Sequence, residues 1–599
     1  MASLDRQRLG RLLPYLRRDR RRLLLSLLLL IPLSLASAVQ PLLVGQAISV
    51  LSRGRSAQEA AAVWPWLAGL PVPAALRVLV LLLALAVMLR LALQGTQLFN
   101  VQVVGQRLAA RIRADLFQHA LALSLRFHDR TPVGKLLTRL TSDVDALSEV
   151  FGSGAVGVLA DLVSLVVIAT VMLTIEWRLG LLLIVLQVPV TAAMVWLQRR
   201  YRRANYRVRE ELGQLNADLQ ENLQGLEVVQ MFRREQENSR RFASGADAYR
   251  RAVTGTILYD SAISAFIEWV ALAAIALVLA LGGWMVTAGA MGLGVLTTFI
   301  LFAQRLFDPL RQLAERFTQI QGGLTAVERI GELLEQPLEI QDRPHAVAPA
   351  ARSSPGEVVF DNVSFHYRPD EPILQNLSFR IAPGEHVAIV GPTGSGKSTV
   401  IRLLCRLYEP QAGRITLDGV DIRDLPQATL RRRLGVVLQD TFLFSGNVAA
   451  NLRLDEPISD QELQRLCHEL GLAPLLDRLD DGLFSELRER GANLSSGERQ
   501  LLAVARVAIR DPSVLVMDEA TAFLDPATEA TLQRDLEHLL TGRTAIVIAH
   551  RLATVEAADR ILVLRGGRLI EEGDHQQLRA AGGLYAQLAM LQERGLATL

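Results

Sequence analysis

From Leu23 to Ser52 the chain carries no charged residue, a stretch longer than the roughly 20 apolar residues that cross a bilayer core. Apolar runs of this kind recur. They predict six spans, near 23–51, 76–104, 150–175, 179–198, 258–283 and 290–313. Beyond Glu357 the pattern changes to short apolar runs alternating with polar helical periodicity, the signature of a soluble α/β domain. The expected architecture is therefore an α-helical six-span transmembrane domain over 1–335, followed by a soluble α/β domain over 357–599. A stretch rich in Pro, Ala, Ser and charge, from Gln336 to Gly356, reads as the linker.

The polar segments between spans are lopsided. Trp64, Pro65, Trp66 and Pro73 suggest an outer loop between spans 1 and 2, and Glu176-Trp177-Arg178 alone joins spans 3 and 4. About 45 residues separate spans 2 and 3, and about 60 separate spans 4 and 5. Both long segments are charged and periodic, so each predicts a cytoplasmic helical hairpin. Arms of ~20 residues would project about 30 Å. The turns are expected at Asp129–Gly134 and at Asn222–Phe232. Solvated helices without a partner are the plain alternative; a pair of equivalent hairpins favours levers between the membrane and the soluble domain.

Charge orients the chain. Arg17, Arg18, Arg20, Arg21 and Arg22 directly precede the first run, which places the N-terminus in the cytoplasm. An even number of spans returns the chain, and with it the soluble domain, to that side. Ala36-Ser37-Ala38 resembles a signal cleavage site, but the apolar run continues past it, so a retained signal-anchor is expected. The net charge of +3 decides little, and two lone cysteines, Cys405 and Cys467, build no disulfide framework. Within the spans stand Arg90, Asp161 and Glu268. Ionisable groups there are costly and imply either a polar cavity for amphipathic or cationic cargo, or else mutual pairing or, for Arg90 above all, snorkelling towards an interface. Pairing is favoured for Arg90 and Asp161; Glu268, beside Trp269, is the candidate cargo contact. Aromatics make up 5% of the chain, too few to suggest an aromatic drug cage.

The soluble half carries the chemistry. The apolar strand His386–Val390 runs directly into Gly391-Pro-Thr393-Gly394-Ser395-Gly396-Lys397-Ser398-Thr399, and a helix is expected over Val400–Leu407. That strand–loop–helix context is what a phosphate cradle needs: glycines turn backbone N–H groups inward, and the helix start adds positive potential. The domain over 357–599 is therefore expected to be an α/β P-loop NTPase domain; Lys397 suits the β- and γ-phosphates of ATP, and the Ser398 hydroxyl suits Mg²⁺. Val514–Asp518 is a second apolar strand, ending in Asp518 for the metal and Glu519 as general base or water-positioning group. Leu494-Ser495-Ser496-Gly497-Glu498 opens a helix expected over Gly497–Arg510, with Ser495 and Gly497 able to meet an anion.

Together these motifs, and nearly all of the chain, resemble ABC transporters, specifically half-transporters of the exporter type. The resemblance implies that Tyr367 stacks on adenine, that Gln439 touches Mg²⁺ and the levers, and that His550 stands near the γ-phosphate. It further implies that Asp525 meets the opposite domain and that the Ser485–Gly491 stretch contacts the levers. The signature loop departs from the family's commonest Leu-Ser-Gly-Gly-Gln at Ser496 and Glu498. A carboxylate there would repel a γ-phosphate unless it points away. In such exporters the signature of one chain completes the partner's site, so a homodimer or a heterodimer with a second half-transporter is expected. The implied activity is ATP hydrolysis driving hydrophobic, amphipathic or lipid-like molecules across or between leaflets of the inner membrane. A catalytically silent subunit of a heterodimeric complex is the alternative; a soluble nucleic-acid ATPase and an importer are disfavoured by the six spans and fused domains.

Overall fold

The computed structural model describes residues 13–52, 63–346, 356–438, 441–454, 456–518, 539–549, 552–593 and 595. It divides into two compact units. One holds Met1–Leu121 with Val133–Gln336; the other holds Ala122–Pro132 with Pro337–Leu599.

In the first unit, five helical runs are long and apolar enough to cross a membrane: Arg20–Ser52, Val72–Ala122, Val133–Ile175, Trp177–Gln224 and Glu235–Thr287. The sixth apolar segment forms a shorter helix, Leu293–Leu306, whose 14 residues rise about 21 Å. It ends at Phe307 because Pro309 lies in the first turn of the next helix, Asp308–Leu334, where a missing N–H is harmless. Spans and polar arms are not separate elements. Val72–Ala122 is one helix of 51 residues, about 76 Å long, since nothing in its interior removes a backbone donor. The first reversal starts earlier than the expected turn, at Leu123-Ser124, and contains the short helix Leu125–Arg130. The second falls at Gly225–Arg234, around the helix Leu226–Met231.

Small residues and ion pairs lock these helices together. A Cβ on Gly45 would lie 2.5 Å from the Gly294 carbonyl oxygen, and one on Gly294 would lie 2.2 Å from that of Gly45. The helices Leu30–Ser52 and Leu293–Leu306 therefore cross backbone to backbone, as small residues permit in membranes. The helix Asp308–Leu334 pairs with the run Val133–Ile175 through three ion pairs. These are Arg316–Asp161 at 3.2 Å, Arg329–Asp143 at 3.4 Å and Arg139–Glu332 at 3.2 Å.

The second unit is built on strands. β1 (Val358–Arg368), β2 (Glu371–Ile381), β3 (His386–Val390), β4 (Ala412–Leu417), β5 (Val420–Asp421) and β6 (Leu434–Val437) come first. β7 (Gly446–Asn447), β8 (Glu486–Leu487), β9 (Val514–Asp518), β10 (Thr544–Ile548), β11 (Arg560–Arg565) and β12 (Arg568–Gly573) follow. An antiparallel sheet runs β2-β1-β4-β5, and a six-stranded sheet runs β12-β11-β3-β10-β9-β6, parallel except at β12. Parallel strands covered on both faces read as continuous apolar runs, and Val387, Ala388, Ile389 and Val390 are indeed fully buried. A helical layer around Leu463, Cys467, Leu483 and Val504 has its own core and carries the helix Ser496–Ala508.

Candidate nucleotide site

Register places the chemistry. Ile389 of β3 and Asp518 of β9 both pair with Ile548 of β10, so three strands end in one row. The carboxyl edge of a parallel sheet is where ligands bind in such folds. The glycine loop leaves β3 two residues beyond Ile389, and Asp518 closes β9 at the same edge. Glu519, Gln439, His550 and Asp525 lie outside the described residues.

The loop turns through three glycines with positive φ: Gly391 at 151°, Gly394 at 82° and Gly396 at 100°. A Cβ on Gly391 would stand 2.1 Å from the Leu564 carbonyl oxygen, so only glycine fits. The helix then starts at Lys397, three residues earlier than expected, because Gly396 in the left-handed region is itself the cap and supplies no side chain. The Lys397 ammonium is buried and donates to the carbonyls of Gly391 and, at 3.4 Å, Pro392. The buried Ser395 Oγ has no hydrogen-bond partner among the described residues. Thr393, Gly394 and Ser398 are exposed along the loop. An uncapped helix start, a buried cation and an orphaned hydroxyl make an arrangement that fits a polyphosphate.

Tyr367, the penultimate residue of β1, lies beside this loop. Its hydroxyl lies 3.2 Å from Thr399 Oγ1 and accepts from Arg402 at 3.3 Å, whose guanidinium covers one ring face at 5.9 Å. The segment 122–132 joins the same cluster. Arg130 donates to the Tyr367 carbonyl at 3.2 Å, Leu125 packs on the core, and the Tyr408 phenol donates to Asp129. Burial and that carboxylate both push the Tyr408 phenol up. Arg402 was marked by no sequence motif, and Asp129 and Arg130 only as the start of an expected turn, since these contacts join residues far apart in the chain.

The signature loop is organised differently. Ser495 Oγ accepts from the Glu498 N–H at 3.2 Å, while the Glu498 carboxylate accepts from the Ser495 N–H at 2.7 Å. This reciprocal capping box starts the helix at Ser496, one residue earlier than expected. Arg478 forms an ion pair with the other Glu498 oxygen. The carboxylate is thus turned to its own backbone and neutralised. The Ser-x-x-Glu spacing was the available signal for it.

In the first unit, Arg90 donates to Gln40 at 3.1 Å and Asp161 pairs with Arg316. The two do not pair with each other. Glu268 and Trp269 are exposed on their helix, whose buried side is Ile263, Val270 and Ala274.

Residues 23–310 match the family described as ABC transporter transmembrane region, and residues 374–522 match the family described as ABC transporter. The "Probable multidrug resistance ABC transporter ATP-binding/permease protein YheH" of Bacillus subtilis (strain 168) is 34% identical over 505 residues, 84% of this chain and 74% of that protein. The "ATP-dependent lipid A-core flippase" of Chromobacterium violaceum is 35% identical over 492 residues, 82% of this chain and 83% of the flippase. This chain belongs to the ABC transporters. Among solved structures, a bacterial Atm1-family ABC exporter with ATP bound aligns over 96% of this chain and 98% of its own, with a TM-score of 0.75 and 32% identity. The ABC protein described here is accordingly a multi-pass membrane exporter with a fused cytoplasmic ATP-binding domain, an ATPase coupled to transport. A silent subunit finds no support in these relatives. Half-transporters of this kind generally dimerise.

Proposed function

We propose that the chain forms a homodimeric, Mg²⁺-dependent ATP-driven exporter that moves hydrophobic, amphipathic or lipid-like molecules across or between leaflets of the inner membrane. The observation that carries this reading is the glycine loop: a helix start left without a side-chain cap, with buried Lys397 beside it and Asp518 at the same sheet edge. The relatives' multidrug and lipid roles favour the cargo class.

The residues divide the work as follows. Gly391, Thr393, Gly394, Ser395, Gly396 and Thr399 wrap the phosphates, and Lys397 exchanges the loop carbonyls for β- and γ-phosphate oxygens. No cluster of three or more His, Cys, Asp or Glu suited to a metal occurs among the described residues. Mg²⁺ takes one or two protein oxygens and fills its shell with phosphates and water. Ser398 and Asp518 are the oxygen donors, with Gln439 as a third. Bound there, Mg²⁺ supplies neutralisation of phosphate charge. Glu519 positions the attacking water and takes its proton, His550 holds the γ-phosphate, and Tyr367 stacks on adenine. Ser495 and Gly497 come from the second chain. Neutralisation of Glu498 by Arg478 supports tolerance of this signature in a homodimer.

The test is the Mg²⁺-ATPase of this chain alone in lipid, beside Glu519→Gln. Turnover that vanishes in the variant while ATP still binds supports the homodimer and the role of Glu519. Undiminished turnover in the variant sinks that role. A folded but silent wild-type chain replaces the homodimer with a heterodimer whose partner brings a complementary signature.

A further inference from the structure

The ring of Tyr367 is held from several elements at once. The torsion that turns a tyrosine ring about its own bond is broad, so the ring plane is set by contacts. Phe365 and Tyr408 stand nearly perpendicular to it, at 4.9 and 5.2 Å between centres and 89° and 85° between planes. The hydroxyl is held at the far end: it lies 3.2 Å from Thr399 Oγ1, and Arg402 donates to it at 3.3 Å. Arg402 sits on the helix Lys397–Leu404, little more than a turn beyond Lys397. The helix that presents the phosphate loop therefore also carries this donor.

Arg402 is exposed, and among the described residues no carboxylate lies at ion-pair distance from it. Its guanidinium carbon stands 5.9 Å from the ring centre, near the outer limit of a cation–π contact. A group pressed against the middle of the ring would stand at carbon contact distance, ~3.5–4 Å. The guanidinium therefore overhangs the hydroxyl end and does not occupy the middle of the ring, where a planar base would stack. The segment 122–132 braces the same cluster. Arg130 donates to the Tyr367 carbonyl, while Asp129 accepts from the Tyr408 phenol and attracts Arg402 electrostatically.

We propose that Arg402 is a positioning residue for adenine: it holds the Tyr367 hydroxyl so that the ring stays aligned with the phosphate loop and offers the base a fixed platform. The inference rests on the reading that Tyr367 stacks on adenine, and adds the residue that keeps the ring in place. A ring already ordered binds the base without a further ordering cost. The phosphates are held by the loop itself, so Arg402 acts on the affinity for the base and not on that for phosphate.

Isothermal titration calorimetry on the purified full chain in dodecyl maltoside compares two ligands in the presence of Mg²⁺. One is the non-hydrolysable adenylyl imidodiphosphate; the other is inorganic tripolyphosphate, which has no base. Arg402→Ala should weaken the nucleotide about fivefold, the effect of one lost hydrogen bond, and leave tripolyphosphate within about twofold. Tyr367→Phe keeps the ring and removes the hydroxyl; it should lose the same amount, and the double variant no more. Arg402→Lys keeps a charged donor and should stay within about twofold of wild type. Equal weakening of both ligands would assign Arg402 to the phosphate loop, and additive losses in the double variant would separate it from Tyr367; either overturns the proposal. Tighter nucleotide binding in Arg402→Ala overturns it as well, since the guanidinium would then occupy the place of the base. Arg402 is exposed, so its removal opens no cavity in the core, and Tyr367→Phe tests the same tie independently. If Tyr367→Leu binds the nucleotide as wild type does, the adenine reading itself falls. If it binds weakly while Arg402→Ala and Tyr367→Phe bind as wild type does, only the role of Arg402 falls.

Discussion

Two helices in the nucleotide domain begin at loops expected to meet phosphate, and they begin in opposite ways. The helix Lys397–Leu404 has a left-handed glycine at its cap and no side-chain bond there, so its first N–H groups are left for a ligand. The helix Ser496–Ala508 closes its own start with a capping box, and Arg478 holds the carboxylate that makes it. The first loop is unfinished without an anion. The second is finished as a structure and offers a ligand only what its own cap does not use. A fold can thus present one rigid and one ligand-completed wall to the same kind of group.

The largest test breaks the first wall. Gly391→Ala forces a Cβ against the Leu564 carbonyl oxygen in a left-handed conformation, a strain of about 1–3 kcal/mol or a displaced loop. ATPase activity should fall about a hundredfold or more, as when a preorganised donor is removed. ATPase within a factor of two of wild type would mean that the loop adapts and the comparison fails.

On the second wall, Glu498→Ala removes the reciprocal cap and should cost about 1 kcal/mol, read as a lower thermal midpoint. Glu498→Gln keeps the hydrogen bond and should stay within about 0.5 kcal/mol. Equal losses in both would assign the effect to charge and not to capping.

A smaller effect isolates that charge. Arg478→Ala uncovers the Glu498 carboxylate and should raise the KM for ATP about two- to threefold, an exposed pair being worth at most ~1 kcal/mol. Adding Glu498→Gln should reverse the change, and raised salt should shrink it. If the double variant is no better than Arg478→Ala, the pair is not what protects the loop.

The two cysteines report on the cores beneath these walls. Cys405 caps the C-terminal end of the phosphate-loop helix, and Cys467 lies in the core of the signature helix. Burial pushes Cys405 up to about 12 and Cys467 up to about 11. Both should resist maleimide at neutral pH in the folded chain, and Cys467 should become reactive at the lower pH of the two. The unfolded chain ionises its thiols near ~8.5 and the folded one does not, so stability should fall as pH climbs from there towards about 12. Fast labelling of Cys467 at neutral pH would show that the signature helix sits on a loosely closed core.

Much of this protein is local and therefore legible. The run Leu23–Ser52, the strands His386–Val390 and Val514–Asp518, and the glycines of the phosphate loop express themselves within a few residues of one another. The helix starts were misplaced by one to three residues because caps, not apolar periodicity, set them. The short sixth helix was overestimated because Pro309 divides an apolar run without making it less apolar. Glu519 is read from its place after the strand Val514–Asp518, whereas Gln439 and His550 are readings from resemblance.

By itself, then, the sequence determined which segments are apolar enough for a membrane, which strand feeds the phosphate loop, and where backbone must adopt positive φ. These depend on side-chain chemistry and spacing over a turn or two. Tertiary structure alone decided that Gln40, Arg90 and Arg305 meet, and that Asp161 pairs with Arg316 across 155 positions (316 minus 161). It also brought Asp129 and Arg130 to the tyrosines of the nucleotide domain. A cation buried in the membrane unit has to be satisfied by whatever helix packing brings near it, and that neighbour is set by the crossing of whole helices, not by adjacency in the chain.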